Sequence, residues 1–148
     1  MSVDTRYAHM LVADDIRAEV GNKFSLMGIY DSALLVQSFP ATIGKLVVYV
    51  VVNCPLNQLF KGLRIELRLN NQPIGLEELS EDAIPVEGPT HDKDGHPYRC
   101  FSKKSVFILS PLSVDHPCLL RAHVFSDGEE LMSNGLAITT FGEIQSTG

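Results

Sequence analysis

Seven consecutive residues, Leu46-Val47-Val48-Tyr49-Val50-Val51-Val52, constrain this chain more than any other stretch. Six of the seven are β-branched or aromatic. A helix of that composition would lose side-chain freedom at almost every position, whereas a pleated strand accommodates it. The run is also far short of the ~20 apolar residues that span a bilayer. It predicts a β-strand buried on both faces. A two-layer sandwich buries only one face of each strand, so Val47, Tyr49 and Val51 on the second face need a cover. That cover is either residues 76–84 of this chain or a second copy, and the three side chains are the candidate interface.

The rest of the chain repeats the β pattern in shorter pieces. Leu63 to Leu69 alternates strictly, with Leu63, Ile65, Leu67 and Leu69 facing in and Arg64, Glu66 and Arg68 facing out, as in a half-exposed antiparallel strand. Cys118 to Phe125 alternates likewise, Asp127-Gly128 is a hairpin turn dipeptide, and Ser133-Asn134-Gly135 marks an irregularity or bulge in the returning strand. Tyr7 to Ala13 reads as a strand ended by Asp14-Asp15, with Ile16 to Glu19 free to form a helical turn. Lys23 to Tyr30 sets Phe24, Leu26, Gly28 and Tyr30 against Ser25, Met27 and Ile29. Further strands are expected at Ala33 to Gln37 and Tyr98 to Leu109. No βα alternation, internal repeat or linker is present, so the expected fold is one all-β domain over residues 1–148. It is an antiparallel two-sheet β-sandwich of seven or eight strands, immunoglobulin-like or C2-like in layout.

Charge is distributed unevenly. Residues 72–97 hold seven acidic side chains against Lys93 alone, which accounts for the whole formal charge of −6. The same stretch holds four of the eight prolines. It reads as a long acidic loop, with at most a helical turn at Leu76 to Leu79, and long connections are where function concentrates. Glu77, Glu78, Glu81 and Asp82 are therefore the candidate partner-binding residues. Phosphate recognition needs clustered Lys and Arg, so nucleic acid is excluded as a partner, and anionic membranes for the same reason. The first six residues lack the basic and apolar regions of a secretory signal, and Cys54, Cys100 and Cys118 are odd in number. Both observations fit a cytoplasmic protein with reduced thiols.

The segment Asp14-Asp15-Ile16-Arg17-Ala18-Glu19, followed by Gly21-Asn22-Lys23-Phe24-Ser25-Leu26-Met27-Gly28-Ile29-Tyr30, resembles a family of bacterial and phage-related proteins to which no activity is assigned. They carry D-D-x-R-x-E and G-x-K-x-S-L-x-G-x-Y near the N-terminus. The resemblance implies a sandwich-like domain and carries no chemistry.

Candidate chemistry is sparse. Asp14 and Asp15, with Asp31 and Asp127 if their loops converge, have the oxygen-rich character of a calcium site; the competing reading is a turn braced by Arg17 and Lys23. His91, His96 and Cys100 are metal-ligand types, with His116 and Cys118 as further contributors, but zinc sites pair their ligands more tightly than H-x4-H-x3-C. No nucleophile elbow or phosphate-cradling loop occurs. No catalytic residue and no cofactor is assigned. The sequence thus points to a non-catalytic protein-binding or scaffold module that binds a protein partner, itself or both. The alternatives are a small metal-binding or hydrolytic protein using His91, His96 and Cys100, and a structural subunit of a phage-derived assembly.

Overall fold

The computed structural model describes residues 6–55, 59–80 and 100–142. These form β1 (Tyr7–Glu19), β2 (Lys23–Tyr30), β3 (Ala33–Val36), β4 (Ala41–Ile43), β5 (Leu46–Pro55), β6 (Leu63–Leu69), β7 (Gln72–Leu79), β8 (Cys100–Leu109), β9 (Leu112–Val114), β10 (Cys118–Ser126) and β11 (Glu129–Thr140). One sheet has the order β2-β1-β5-β8 and the other β3-β11-β10-β6-β7, while β4 and β9 make a small separate ladder. The protein is an all-β sandwich. The eleven strands among the described residues exceed the expected seven or eight because three-residue pieces such as β4 and β9 leave no alternation to read. One pairing departs from the antiparallel rule: β3 runs parallel to β11, Ala33 opposite Ala137 through Val36 opposite Thr140. Only Asp31 and Ser32 separate β2 from β3, so the chain changes sheet at that corner, and the Ser32 carbonyl accepts the Ala137 N–H at 3.0 Å.

The core follows from the period of two. Leu46, Val48, Val50, Val52 and Cys54 of β5 point into the sandwich with Met10 and Val12 of β1. They meet Leu63, Ile65, Leu67, Leu120, Ala122, Val124, Leu136 and Ile138 of the second sheet in one apolar cluster. Each large aliphatic side chain so buried contributes about 1.5–3 kcal/mol. On one side the sheets are joined by Lys103 Nζ of β8 and Glu77 Oε1 of β7, 3.4 Å apart. Beside them Phe107 lies so close to Gly75 that a Cβ there would sit 2.9 Å from its ring. Glycine at 75 lets the two edges approach.

Two expectations are corrected. The stretch 72–97 is not a loop from its start: Gln72–Leu79 is strand β7, paired along β6 through a two-residue Asn70-Asn71 turn in which Asn70 takes a φ of 55°. Pairing with β6 overrides the local turn signals of Pro73 and Gly75, and the register slips between Leu67 and Arg68 to accommodate them. Likewise β1 does not stop at Asp14-Asp15, and no helical turn follows. The strand continues to Glu19 and returns as β2 through Val20, Gly21 and Asn22. The two carboxylates do not break it, because each finds a partner: the Tyr30 hydroxyl of β2 donates to Asp14 at 2.5 Å, and Lys45, just before β5, pairs with Asp15 at 2.6 Å.

Candidate interaction face

Residues directly opposite in paired strands share a face, so the registers fix what the outer side of the four-stranded sheet displays. Successive rows are Ile29–Ala13–Val47–Ile108, Leu11–Tyr49–Val106, His9–Val51–Lys104 and Tyr7–Asn53–Ser102. Met27, opposite Asp15, extends the first row toward the hairpin end. Tyr7, Leu11, Met27, Ile29 and Ile108 are all substantially exposed, Ile29 and Ile108 by 55% and 54%. Lys104 and the Lys45-paired Asp15 are the only formal charges in these rows. The backbone positions them by alternation alone: the inward set of each strand fills the core, and the outward set is apolar in the first two rows and polar at His9, Lys104, Asn53 and Ser102.

Val47, Tyr49 and Val51 form the floor of this face. Val47 and Val51 are 0% and 8% exposed and Tyr49 is half-buried, so they are packed within one chain. Phe24, near the distal end of the β1–β2 hairpin, packs on Tyr49. Phe24 pairs with Ala18, seven residues along β1 from the Leu11 that faces Tyr49. In a flat sheet those positions would lie roughly 25 Å apart at ~3.3 Å per residue and ~4.8 Å per strand. Yet the Phe24 and Tyr49 rings meet edge to face with centroids 6.1 Å apart. The far end of the hairpin therefore curls toward the edge of this face, far enough to bring Phe24 to Tyr49. The bend coincides with Gly28, whose φ of 70° is a left-handed conformation and whose Cβ position is filled by the Asp14 side chain.

The outer face of the five-stranded sheet is mixed: Met132 and Leu76, in one row with His123 and Glu66, are exposed, but they flank a network of internally paired charges. Glu66 is nearly buried, with Arg68 Nε at 2.7 Å and Arg64 Nη2 at 3.1 Å, and the Arg68 hydrogen bond holds its carboxyl below the usual range. Both guanidinium groups also lie 5.9 Å from the Phe125 ring centroid. His123 Nδ1 meets Glu130 Oε1 at 3.0 Å. A shallow depression of about 500 Å³ lined by Arg64, Glu78, Phe125 and Asp127 adjoins this network, and its charges are committed. Arg64 serves Glu66 and, at 3.7 Å, Glu78. Asp127 accepts the backbone N–H groups of Lys61 and Gly62 and pairs with Arg6 at 3.0 Å. Partial burial acts against its charge, but these donors outweigh it and hold the Asp127 carboxyl below the ordinary value.

The other sequence candidates are scattered. Glu77 pairs with Lys103 and Glu78 with Arg64, whereas Glu81, Asp82, His91 and His96 lie outside the described residues. Cys100 opens β8 opposite Pro55. Cys118 is buried, which pushes its thiol pKa up, the direction of an inert cysteine. Asp127 does not join Asp14 and Asp15: it meets Arg6, which precedes β1, while they meet Tyr30 and Lys45 beyond the other end of the β1–β5 ladder. Convergence of those loops is thus corrected, and among the described residues no three His, Cys, Asp or Glu side chains gather as metal ligands do. The brace on Asp15 is Lys45 rather than Lys23, and Arg17 pairs with Glu19.

Sequence reasoning did not single out Tyr7, Leu11, Met27, Ile29 and Ile108. The signal was available in the β2 alternation, where the set opposite Phe24, Leu26 and Tyr30 is also apolar at Met27 and Ile29. Among the described residues no helix is long and apolar enough to cross a membrane. Comparison with known proteins returns no match: no family model, no curated protein and no solved structure is significantly similar to this chain.

Proposed function

We propose that this chain is a non-catalytic protein-docking module whose contact surface is the outer face of the β2-β1-β5-β8 sheet. One observation carries the reading: Tyr7, Leu11, Met27, Ile29 and Ile108, exposed as they are, fall in register on a single sheet face. Scattered exposed apolar residues are ordinary, but a contiguous set marks an interaction site. With Phe24, itself exposed and resting on Tyr49, six large side chains exposed by about half present on the order of 500 Å² of apolar area, taking ~180 Å² for each. That is near the upper end for the largest patch on a typical monomer, ~300–600 Å². The acidic reading is less favoured at its described positions, because a basic partner would have to displace Lys103 from Glu77 and Arg64 from Glu78.

The test is site-specific photo-cross-linking in cells that express the protein. A photoreactive residue replacing Ile29 should give a discrete cross-linked species, whereas one replacing Met132, 60% exposed on the second sheet, should give none. Equal labelling from both positions, or none from Ile29, would remove the proposal.

A further inference from the structure

We infer that the occupant of this face is a second copy of the chain, packed face to face as a symmetric dimer; the inference rests on the docking reading above. Three features of the face select the partner. First, charge offers nothing to a basic or nucleic-acid partner. Across the rows from Tyr7–Asn53–Ser102 to Ile29–Ala13–Val47–Ile108, Lys104 is the single formal charge, and Asp15 just beyond is already held by Lys45 at 2.6 Å. The complementary surface must be a sheet face that is apolar around Leu11, Ile29 and Ile108 and poor in charge elsewhere. This chain presents such a face itself.

Second, the chain carries a net charge of −6, so two copies repel wherever acidic side chains face one another. The outer face of the first sheet is where that repulsion is least. The outer face of the second sheet also exposes Leu76 and Met132, but they stand among Arg64, Glu66, Arg68, Glu78, His123 and Glu130, so self-association there would bury charged groups. Third, the area fits a dimer of modest strength. About 500 Å² of apolar surface from each copy sums to ~1,000 Å², the lower bound for a specific interface, and a polar rim adds to it. An isologous contact uses the same patch on both subunits and closes on itself, so it ends in a dimer and not in a chain. The floor supports such a contact, since Ala13, Val47 and Val51 are already packed and do not have to reorganise.

The experiment is sedimentation equilibrium of the full chain from low-micromolar to near-millimolar concentration. A reversible monomer–dimer equilibrium is expected, with a dissociation constant in the micromolar range. Ile29→Asp and Ile108→Asp should each weaken it at least tenfold, and Met132→Asp should leave it unchanged. Circular dichroism and thermal melting accompany each variant, so that loss of the dimer is separated from loss of the fold. Should either variant unfold, Leu11→Ser replaces it. A chain that stays monomeric throughout, or a dimer that survives both substitutions, overturns the inference. A monomer that still cross-links from Ile29 to a species of another mass would sink self-association and leave the docking reading standing.

Discussion

The side-chain amide of Asn134 pairs with both backbone groups of Met10: its Oδ1 accepts the Met10 N–H at 2.9 Å and its Nδ2 donates to the Met10 carbonyl at 3.1 Å. Asn134 stands in the bulge of β11, where the register against β10 slips between Arg121 and His123. Beside it the Ser133 hydroxyl both accepts the Ala122 N–H and donates to the Ala122 carbonyl. The bulge thus satisfies its own strand through Ser133 and frees Asn134 to act as a one-residue strand partner for β1. That partner is needed because β2 stops at Tyr30, opposite Val12, leaving the outer edge of β1 beyond it unpaired.

Asn134→Ala should therefore lower stability in urea unfolding by about 1–2 kcal/mol, the usual range for one or two hydrogen bonds. Asn134→Asp should cost at least as much at neutral pH, because its second oxygen would face the Met10 carbonyl without a proton. It should recover in part on acidification, when a protonated carboxyl can donate. An alanine variant within about 0.5 kcal/mol of the parent, the ordinary scatter for surface changes, would show that the clasp is not stabilising.

Gly28→Ala tests the bend of the hairpin. An added Cβ would sit 3.0 Å from Asp14 Cγ, and φ is 70°. The left-handed backbone alone costs an L-residue about 1–2 kcal/mol. In an Asp14→Ala background the steric part should shrink while the backbone part persists, so the two substitutions should be non-additive in urea melts. Full additivity would separate Gly28 from Asp14.

Asp127 is one of three carboxylates that contribute to the acid limb of stability. Its folded pKa, like those of Glu66 and Asp15, is depressed. The stabilisation is therefore complete above the unfolded carboxylate range, near pH 4, and is lost as pH falls through the folded values. Asp127→Asn tolerates the turn, where φ is 51°, but gives up the charge. It should lower the urea midpoint near neutrality and flatten its dependence between pH 5 and pH 2. A slope equal to the parent's would assign the acid sensitivity elsewhere.

Tyr30 works in the opposite sense. Its hydroxyl donates to Asp14, and its pKa is pushed up to about 12 by that bond, by burial and by the nearby carboxylate. The contribution is present below the ordinary tyrosine range near pH 10 and fades as pH rises through about 12. In a phenolate absorbance titration Tyr30→Phe should remove the most alkaline step, and Asp14→Asn should move that step toward neutrality. An unchanged curve in both variants would place the step on another tyrosine.

Much of the architecture was legible because it is local. The β-branched run Leu46 to Val52 could only be a strand, and the alternation at Leu63 to Leu69 placed Ile65 and Leu67 in the core, where both are fully buried; that at Cys118 to Phe125 separated the set Leu120, Ala122 and Val124, which the structure buries. Asp127-Gly128 marked its hairpin by the same kind of local chemistry. Less legible were elements whose state depends on a distant strand. Pro73 and Gly75 read as loop residues until β6 pairs beside them, and Asp14-Asp15 read as a terminator until Tyr30 and Lys45 supply partners. The proposed face was half visible: Val47, Tyr49 and Val51 lie on it, but the exposed residues above them come from β1, β2 and β8.

The sequence by itself determined that the chain is a β-sandwich with one strand, Leu46 to Val52, apolar on both sides, because side-chain periodicity and χ1 restriction act within a few residues. The tertiary structure alone decided what meets that second side. Phe24 reaches Tyr49 because the hairpin bends at Gly28, Asn134 reaches Met10 because β11 bulges, and Ile29 aligns with Ile108 through two intervening strands. Each relation depends on register and bending between segments far apart in the chain, which short-range pattern does not encode.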